Sequence, residues 1–180
     1  MKKLLIVLIF SSFVSSELVL EITQGTDDPY RVAILPFKGD KKLSSDIENI
    51  VINNLKRSGE FTVFIAADLL SVPKNEEEIV FNDFRILNID YLVLGSINNG
   101  DVFYEVYDIK KGLKIRSSTV FGIPNKIRQL AHYVTDGIYE EITGIKGIAA
   151  TKILYVTQSD KYSLVAVSYT HLRAHETKAN

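Results

Sequence analysis

The run RVAILPF at residues 31–37 places the strongest constraint on the fold, because it is continuously apolar after Arg31 over the length of one strand. Strands that are buried on both faces have unbroken hydrophobic sequences, whereas half-exposed strands alternate. Pro36 lacks a backbone N–H and forces the chain to leave the sheet at the end of this run. We therefore predict a central, buried β-strand over residues 31–37.

Two longer segments have the period of amphipathic helices. The first is predicted to begin with a capping box of Ser45 and Glu48 and to end at Gly59. The second is predicted to follow a cap at Asn125 and to end at Gly144. The two apolar stripes consist of Ile47, Ile50, Val51 and Leu55, and of Ile127, Leu130, Ala131, Val134, Ile138 and Ile142.

Shorter segments predict the remaining elements. A helix is predicted from Glu76 to about Asn88, since its acidic start complements the positive end of the helix dipole. The NNG and KKG sequences are typical of tight turns within a meander of strands. The predicted strands lie at residues 61–66, 91–97, 101–109 and 112–120, and the turns at 98–100 and 110–112.

Strands and helices in this order predict an α/β fold, with a mixed β-sheet and helices packed on one face. A chain of 180 residues with 46% hydrophobic content is long enough for one compact domain. A further strand is predicted from Thr151, after a linker at residues 147–150.

The first 16 residues have the composition of a secretory signal peptide. Lys2 and Lys3 precede an apolar run at residues 4–13, and a Ser-rich stretch follows. About ten apolar residues are too few for a membrane-spanning helix, which needs about 20. We predict cleavage after Ser16, a mature chain that begins at Glu17 outside the cytoplasm, and no stable membrane insertion after cleavage.

Charge and cysteine content exclude several classes of function. The formal net charge is −1, so the chain lacks the basic surface that follows a phosphate backbone, and nucleic acid is not an expected partner. The sequence contains no cysteine, which excludes disulfides, a thiolate nucleophile and a Cys-based zinc site.

No catalytic motif emerges from the sequence, which contains no G-x-S-x-G elbow, Walker loop or G-x-G-x-x-G. His132 lies beside Ala131 on a predicted helix, and a lone helical histidine is usually structural. The acidic run at residues 76–78 is typical of a solvated surface. Glu140 and Glu141 would point about 100° apart on their helix. We predict a protein that is not an enzyme and that binds neither a cofactor nor a metal.

Two further groups of side chains could suggest chemistry. Glu105 and Tyr107 share one face of a predicted strand and Tyr104 takes the other, which is more typical of a sheet surface than of a site. His171 and His175 in HLRAH have the i, i+4 spacing of metal ligands on a helix. They lack a third ligand and the Glu of zinc proteases.

The last residues do not continue the pattern of the chain. The sequence VSYTHLRAHET at residues 167–177 corresponds without mismatch to one reading frame of a common transposon-based sequencing adapter. We therefore predict that residues 167–180 are a non-native, adapter-derived tail, and we leave them out of the fold assignment.

Four stretches together carry a resemblance to a known family. They are ELVLEITQGTDDPYRVAILPF, DIENIVINNLKRSGEF, YLVLGSI and, most specifically, AHYVTDGIYEEITGIKGIAATKILYV. From Glu17 to about Ser159 they resemble the amino-terminal domain of the TolB family, periplasmic components of the Tol-Pal system. The resemblance implies that the mature chain is located in the periplasm. The resemblance implies an α/β domain at residues 17–147, followed by a six-bladed β-propeller. A blade takes about 40–45 residues, so residues 148–166 would hold only the first strand of a truncated propeller.

The resemblance also implies partners. Members of the family bind the C-terminal domain of TolA through their N-terminal segment, and Pal and some colicins through the propeller. They link inner-membrane TolA to outer-membrane Pal, for envelope integrity and for outer-membrane constriction in cell division. Carried over by position, the TolA-binding segment consists of Glu17, Leu18, Val19, Leu20, Glu21, Ile22 and Thr23.

The pattern of this segment suits strand addition to a partner, because Leu18, Leu20 and Ile22 could fill alternate pockets while the backbone pairs. The alternative is that residues 17–23 form a strand of their own sheet. Two other functions stay open: a stand-alone periplasmic binding module and, less favoured, a hydrolase-associated domain. Propeller blades encoded after Thr157 would favour the TolB family, and a hydrolase activity lost on His132→Ala would favour an enzyme.

Overall fold

The computed structural model describes residues 28–123, 125–158 and 162–168. The predicted signal peptide, the predicted partner-binding strand at residues 17–23, and His171 and His175 lie outside the described residues.

The described residues form three α-helices and seven β-strands. In chain order these are β1 Tyr30–Ile34, α1 Lys41–Ser58, β2 Phe61–Phe64, α2 Phe81–Ile86, β3 Tyr91–Asn98, β4 Asp101–Asp108, β5 Leu113–Val120, α3 Ile127–Thr143, β6 Lys152–Gln158 and β7 Tyr162–Ser168. Short 3₁₀ turns at Ala66–Asp68 and Glu76–Glu78 lie between β2 and α2.

Five strands form one mixed sheet in the order β2-β1-β3-β4-β5. β1 runs parallel to β2 and β3, and β4 pairs antiparallel with β3 and β5. The predicted α/β fold with a mixed sheet is therefore confirmed. The tight turn predicted between β3 and β4 is also confirmed, with Asn99 and Gly100 at φ 52° and 89°.

β1 lies inside the sheet between β2 and β3, which confirms the prediction from the apolar run. Val32 and Ile34 belong to the core on one face, and Ala33 and Leu35 belong to the core on the other. All four side chains are 0% exposed. The run is unbroken because both faces of this strand are covered.

The two long helices pack together on one face of the sheet. α1 contributes Ile47, Val51 and Leu55 to this core, and α3 contributes Val134 and Ile138, all of them fully buried. Burying a side chain of this size stabilises a fold by about 1.5–3 kcal/mol. The predicted stripes therefore form the contact between helices and sheet, except for Ile127, which is 41% exposed at the start of α3.

The short helix α2 differs from the expectation, because it packs on the opposite face. Phe84 of α2 and Ile89 after it form a second core with Leu92 and Tyr107. The prediction of helices on one face holds for α1 and α3. A cover on the other face is needed because the central strands are apolar on both sides.

α1 begins earlier than the capping-box spacing predicts. Asp40 is the N-cap, and its Oδ1 accepts a hydrogen bond from the Leu43 N–H at 2.9 Å. The Glu48 carboxylate instead accepts from the Phe37 N–H at 3.2 Å, and Ser45 lies inside the helix. The predicted capping box is therefore wrong, since a carboxylate about one turn earlier already binds a free N–H of the first turn.

The ends of both long helices follow the prediction better than their starts. Gly59 ends α1 and Gly144 ends α3, both in the left-handed conformation. The predicted cap at Asn125 is wrong, because this residue has φ 59° and α3 begins at Ile127 without a side-chain cap. An N-cap residue normally has extended backbone.

The helix predicted from Glu76 is divided into two short pieces. Asn75 caps the 3₁₀ turn by accepting from the Glu78 N–H at 3.0 Å. Ile79 and Val80 then adopt extended backbone before α2 begins. Both are β-branched, and such residues favour extended conformations.

β6 and β7 form a separate antiparallel pair, in which Lys152 lies opposite Ser168. β6 corresponds to the strand predicted from Thr151, and its Leu154 and Val156 are 63% and 64% exposed. Three assignments stay predictions: a propeller, a domain boundary at residue 148, and a non-native tail from residue 167. Within the described residues, no helix combines the length and hydrophobicity needed to cross a bilayer.

Candidate functional site

The predicted partner-binding segment joins the described domain at the start of β1. Thr23 precedes Asp28, the first described residue, by five positions. Two residues later the Tyr30 N–H donates to the Glu60 carbonyl at 2.9 Å, and the Tyr30 ring lies 5.8 Å from the ring of Phe61. Residues 17–23 are therefore separated by only a few positions in the sequence from a well-packed strand end.

A cleft of about 160 Å³ opens beside this strand end. In it Asp90 accepts from the Arg31 N–H at 3.0 Å and pairs with Lys110 at 2.7 Å. Burial alone would raise the pKa of the Asp108 carboxyl, but hydrogen bonds from Lys111 and Lys110 outweigh it and hold this pKa below its usual range. Both carboxylates are thus engaged in holding the β4–β5 turn and β1.

A second cleft, of about 170 Å³, lies on the α2 face near the β3–β4 turn. At its edge Lys114 Nζ lies 2.6 Å from Glu76 and 2.9 Å from Glu105. The Tyr107 hydroxyl donates to Glu105 at 3.0 Å, and burial, together with this carboxylate, raises the pKa of Tyr107. This network fastens the 3₁₀ turn at Glu76–Glu78 onto the sheet.

Some of the residues near this cleft are predicted from the sequence to lie on a solvated or sheet surface. Glu76 is exposed and pairs with Lys114, as a surface acid does. Tyr104 and Tyr107 are 1% and 0% exposed, so the prediction of a sheet surface is wrong for both tyrosines. Within the parts of the chain that the structure describes, no His, Asp and Glu side chains group as metal ligands.

His132 lies in the interface between α1 and α3. Its Nδ1 is 2.9 Å from Asn54 Nδ2, which also donates to Thr135 Oγ1 at 3.1 Å. The Asn54 amide nitrogen can only donate, so this hydrogen bond has Nδ1 of the ring as its acceptor. Thr135 in turn donates to the Ala131 carbonyl at 2.8 Å. The histidine therefore belongs to a buried polar contact between the two helices, consistent with the predicted structural role.

The two adjacent acids of α3 have different surroundings, as predicted from helix geometry. Glu141 accepts from Arg116 Nη1 of β5 at 3.0 Å, whereas Glu140 is exposed. Arg116 and Lys114 fasten a helix and a turn to β5 through acids that are distant in sequence. No local pattern in the sequence identifies these pairs, because their partners meet only in the folded chain.

Strand addition by a partner requires a free sheet edge or a free strand. Among the described residues, the five-stranded sheet ends at β2 and β5, whose outer edges have no neighbouring strand. β5 is eight residues long and presents the longer edge. A strand at residues 17–23 could therefore pair either with such an edge or with the sheet of a partner.

Comparison with known proteins identifies a matching family and several relatives. A family model described as the TolB amino-terminal domain matches residues 18–115. The Tol-Pal system protein TolB of Alcanivorax borkumensis is 37% identical over 149 residues, which cover 80% of this chain and 34% of that protein. The protein of the same name from a Marinomonas strain is 37% identical over 164 residues, which cover 86% and 38%.

A solved structure has a similar fold. The crystal structure of TolB from Acinetobacter baumannii matches with a TM-score of 0.68 and 30% identity, over 83% of this chain and 38% of that one. The chain thus spans little more than a third of the length of these relatives. On the family match and on these relatives, the chain belongs to the TolB amino-terminal domain family.

Proposed function

We propose that this chain is the amino-terminal part of a periplasmic, non-enzymatic protein of the Tol-Pal system. In this role it would link inner-membrane TolA to outer-membrane Pal, for envelope integrity and for outer-membrane constriction during division. The family match over residues 18–115 carries the proposal, because it includes most of the predicted partner-binding segment as well as strands β1 to β4. The relatives named Tol-Pal system protein TolB support it.

The proposed TolA-binding site is the segment at residues 17–23. Its alternating Leu18, Leu20 and Ile22 suit a strand that adds to the sheet of TolA, with backbone hydrogen bonds for affinity and side-chain pockets for specificity. The few residues that separate this segment from the packed start of β1 support the assignment, since they tie it in sequence to a folded domain. Pal is assigned to the part of the relatives that lies outside this chain.

The proposed localisation follows from the first residues. Lys2, Lys3 and the apolar run at residues 4–13 would direct export, and cleavage after Ser16 would release the protein into the periplasm. An enzymatic role is not favoured, because His132 packs between two helices rather than in a cleft. The protein would therefore act through binding alone.

A pull-down with the immobilised C-terminal domain of TolA tests the proposal. The chain beginning at Glu17 is expected to bind, and a variant that lacks residues 17–23 is expected to lose binding while circular dichroism shows a folded domain. Serine at Leu18, Leu20 and Ile22 together should also abolish binding. The matched control, Val19→Ser with Glu21→Ser, alters the other face of the strand and should bind. Unchanged binding by the deletion variant would contradict the proposal.

A further inference from the structure

Residues 144–151, here called the joint, connect α3 to the strand pair β6–β7. These two strands pair with each other and form a sheet of their own. Among the described residues, they make at most marginal contact with any helix or strand of the five-stranded domain. The orientation of the strand pair therefore depends on the conformation of the joint.

One carboxylate of α3 binds the backbone of the joint. Asp136 Oδ1 accepts from the Ala149 N–H at 2.7 Å, and Oδ2 accepts from the Ala150 N–H at 3.0 Å. Hydrogen bonds to a charged carboxylate are about twice as strong as neutral ones. Ala149 is only 9% exposed, so losing these bonds would leave polar groups in a largely buried place.

The joint runs back along the helix that it follows. Asp136 precedes Gly144 by eight residues, which corresponds to about 12 Å along α3. At Gly147 the backbone passes so close to the helix that a Cβ would lie 2.5 Å from Asp136 Oδ1 and 2.6 Å from its Cα. A side chain at residue 147 would therefore push the joint away from α3.

The two ends of the joint are also fixed. Gly144 has φ 72°, and its N–H donates to the Glu140 carbonyl at 2.9 Å, which closes the helix. The Thr151 N–H donates to the Ile148 carbonyl at 3.0 Å, which forms a turn directly before β6. The joint is thus held at its start by Gly144 and in its second half by Asp136 and by the turn before β6.

We infer that Asp136 is a positioning residue that makes the joint rigid and holds the unit beginning with β6 in one orientation relative to α3. The inference is independent of the proposed partners. The relatives extend far beyond the part that this chain matches. In a chain of that length, the joint would set the orientation of a much larger unit than β6 and β7. A rigid joint would transmit a movement of α3 to whatever follows it, whereas a loose linker would not.

Distance measurement between two spin labels tests the inference on the full chain. The sequence contains no cysteine, so Lys42→Cys on α1 and Thr157→Cys on β6 provide two unique, exposed labelling positions. The distance distribution is expected to be narrow in the otherwise unchanged chain. Asp136→Ala should at least double its width. The matched control, Glu140→Ala, removes an exposed acid from the same helix and should leave the width unchanged.

Two further variants test the inference if the Asp136→Ala variant does not fold. Gly147→Ala leaves the carboxylate in place but displaces the joint, and should broaden the distribution in the same way. Asp136→Asn is nearly isosteric, and hydrogen exchange of the Ala149 and Ala150 amides should become about tenfold faster in it. A broad distribution in the unchanged chain, or unchanged exchange in Asp136→Asn, would overturn the inference.

Discussion

The hydroxyl group of Tyr104 in β4 occupies the space that a Cβ atom on Gly137 in α3 would need. Tyr104 is 1% exposed, so its position is fixed by packing between the sheet and the helix. Glycine within a helix destabilises it by about 0.5–1 kcal/mol relative to alanine. Gly137 is therefore explained by the close approach of a tyrosine rather than by helix propensity.

Gly137→Ala is expected to lower the free energy of unfolding by about 1–3 kcal/mol, because the added methyl group overpacks the core. Urea unfolding measures this change. Tyr104→Phe removes the oxygen that the methyl group would meet, so the double variant should be less destabilised than the sum of the two single variants. A Gly137→Ala variant that is more stable than the original chain would contradict the assignment.

The start of α1 gives a second prediction. Asp40→Ala removes the N-cap bond to the Leu43 N–H and should lower the free energy of unfolding by about 0.5–2 kcal/mol. Ser45→Ala is the matched control, because Ser45 is an exposed residue inside the helix and should change stability little. Thermal unfolding of both variants decides which residue is the cap, and a larger effect at Ser45 would restore the capping box.

The buried contact between α1 and α3 gives a third prediction. Asn54→Ala removes the bonds from Asn54 to His132 and Thr135, which should lower the free energy of unfolding by about 1–3 kcal/mol. Asn53→Ala changes an exposed neighbour of the same type and should have little effect. Chemical denaturation compares the two, and equal effects would show that the polar contact contributes nothing.

The dependence of stability on pH gives a fourth prediction. The pKa of Asp108 is below its usual range in the folded chain, so the folded state favours the ionised carboxylate. Its contribution to stability is present above the unfolded pKa of about 3.9 and is lost as the pH falls through the lower folded pKa. Asp108→Asn should therefore weaken the loss of melting temperature below about pH 4. An equal fall of the melting temperature below about pH 4 in the variant and the original chain would contradict this prediction.

Asp136 is expected to act in the opposite direction. Burial raises the pKa of its carboxyl, against the two backbone hydrogen bonds from the joint, so the folded chain binds this proton more tightly than the unfolded chain. As the pH rises through that pKa, the ionised group lowers the free energy of unfolding. Melting temperatures of Asp136→Asn, measured over the same pH range, should not show this loss of stability with rising pH. If the variant still shows the loss, Asp136 is not its cause.

Much of the fold could be predicted because its signals are local. The apolar run at β1, the turn at Asn99 and Gly100, and the glycine ends at Gly59 and Gly144 depend on residues only a few positions apart. Helix starts were harder to predict, since several polar residues near each start could act as the cap. Asp40 is the cap because it directly precedes the helix and binds the free N–H of Leu43, whereas Ser45 lies inside the helix.

The sequence by itself determined the class of fold, the buried central strand and the family, because periodicity, turn residues and ordered motifs are properties of neighbouring residues. Only the tertiary structure decided that α2 covers the second face, that Lys114 joins Glu76 to Glu105, and that Asp136 binds the joint. The hydrogen bonds of Lys114 and Asp136 join residues from 9 to 38 positions apart. Such pairs have no periodic signature, since they meet only when strands and helices have packed.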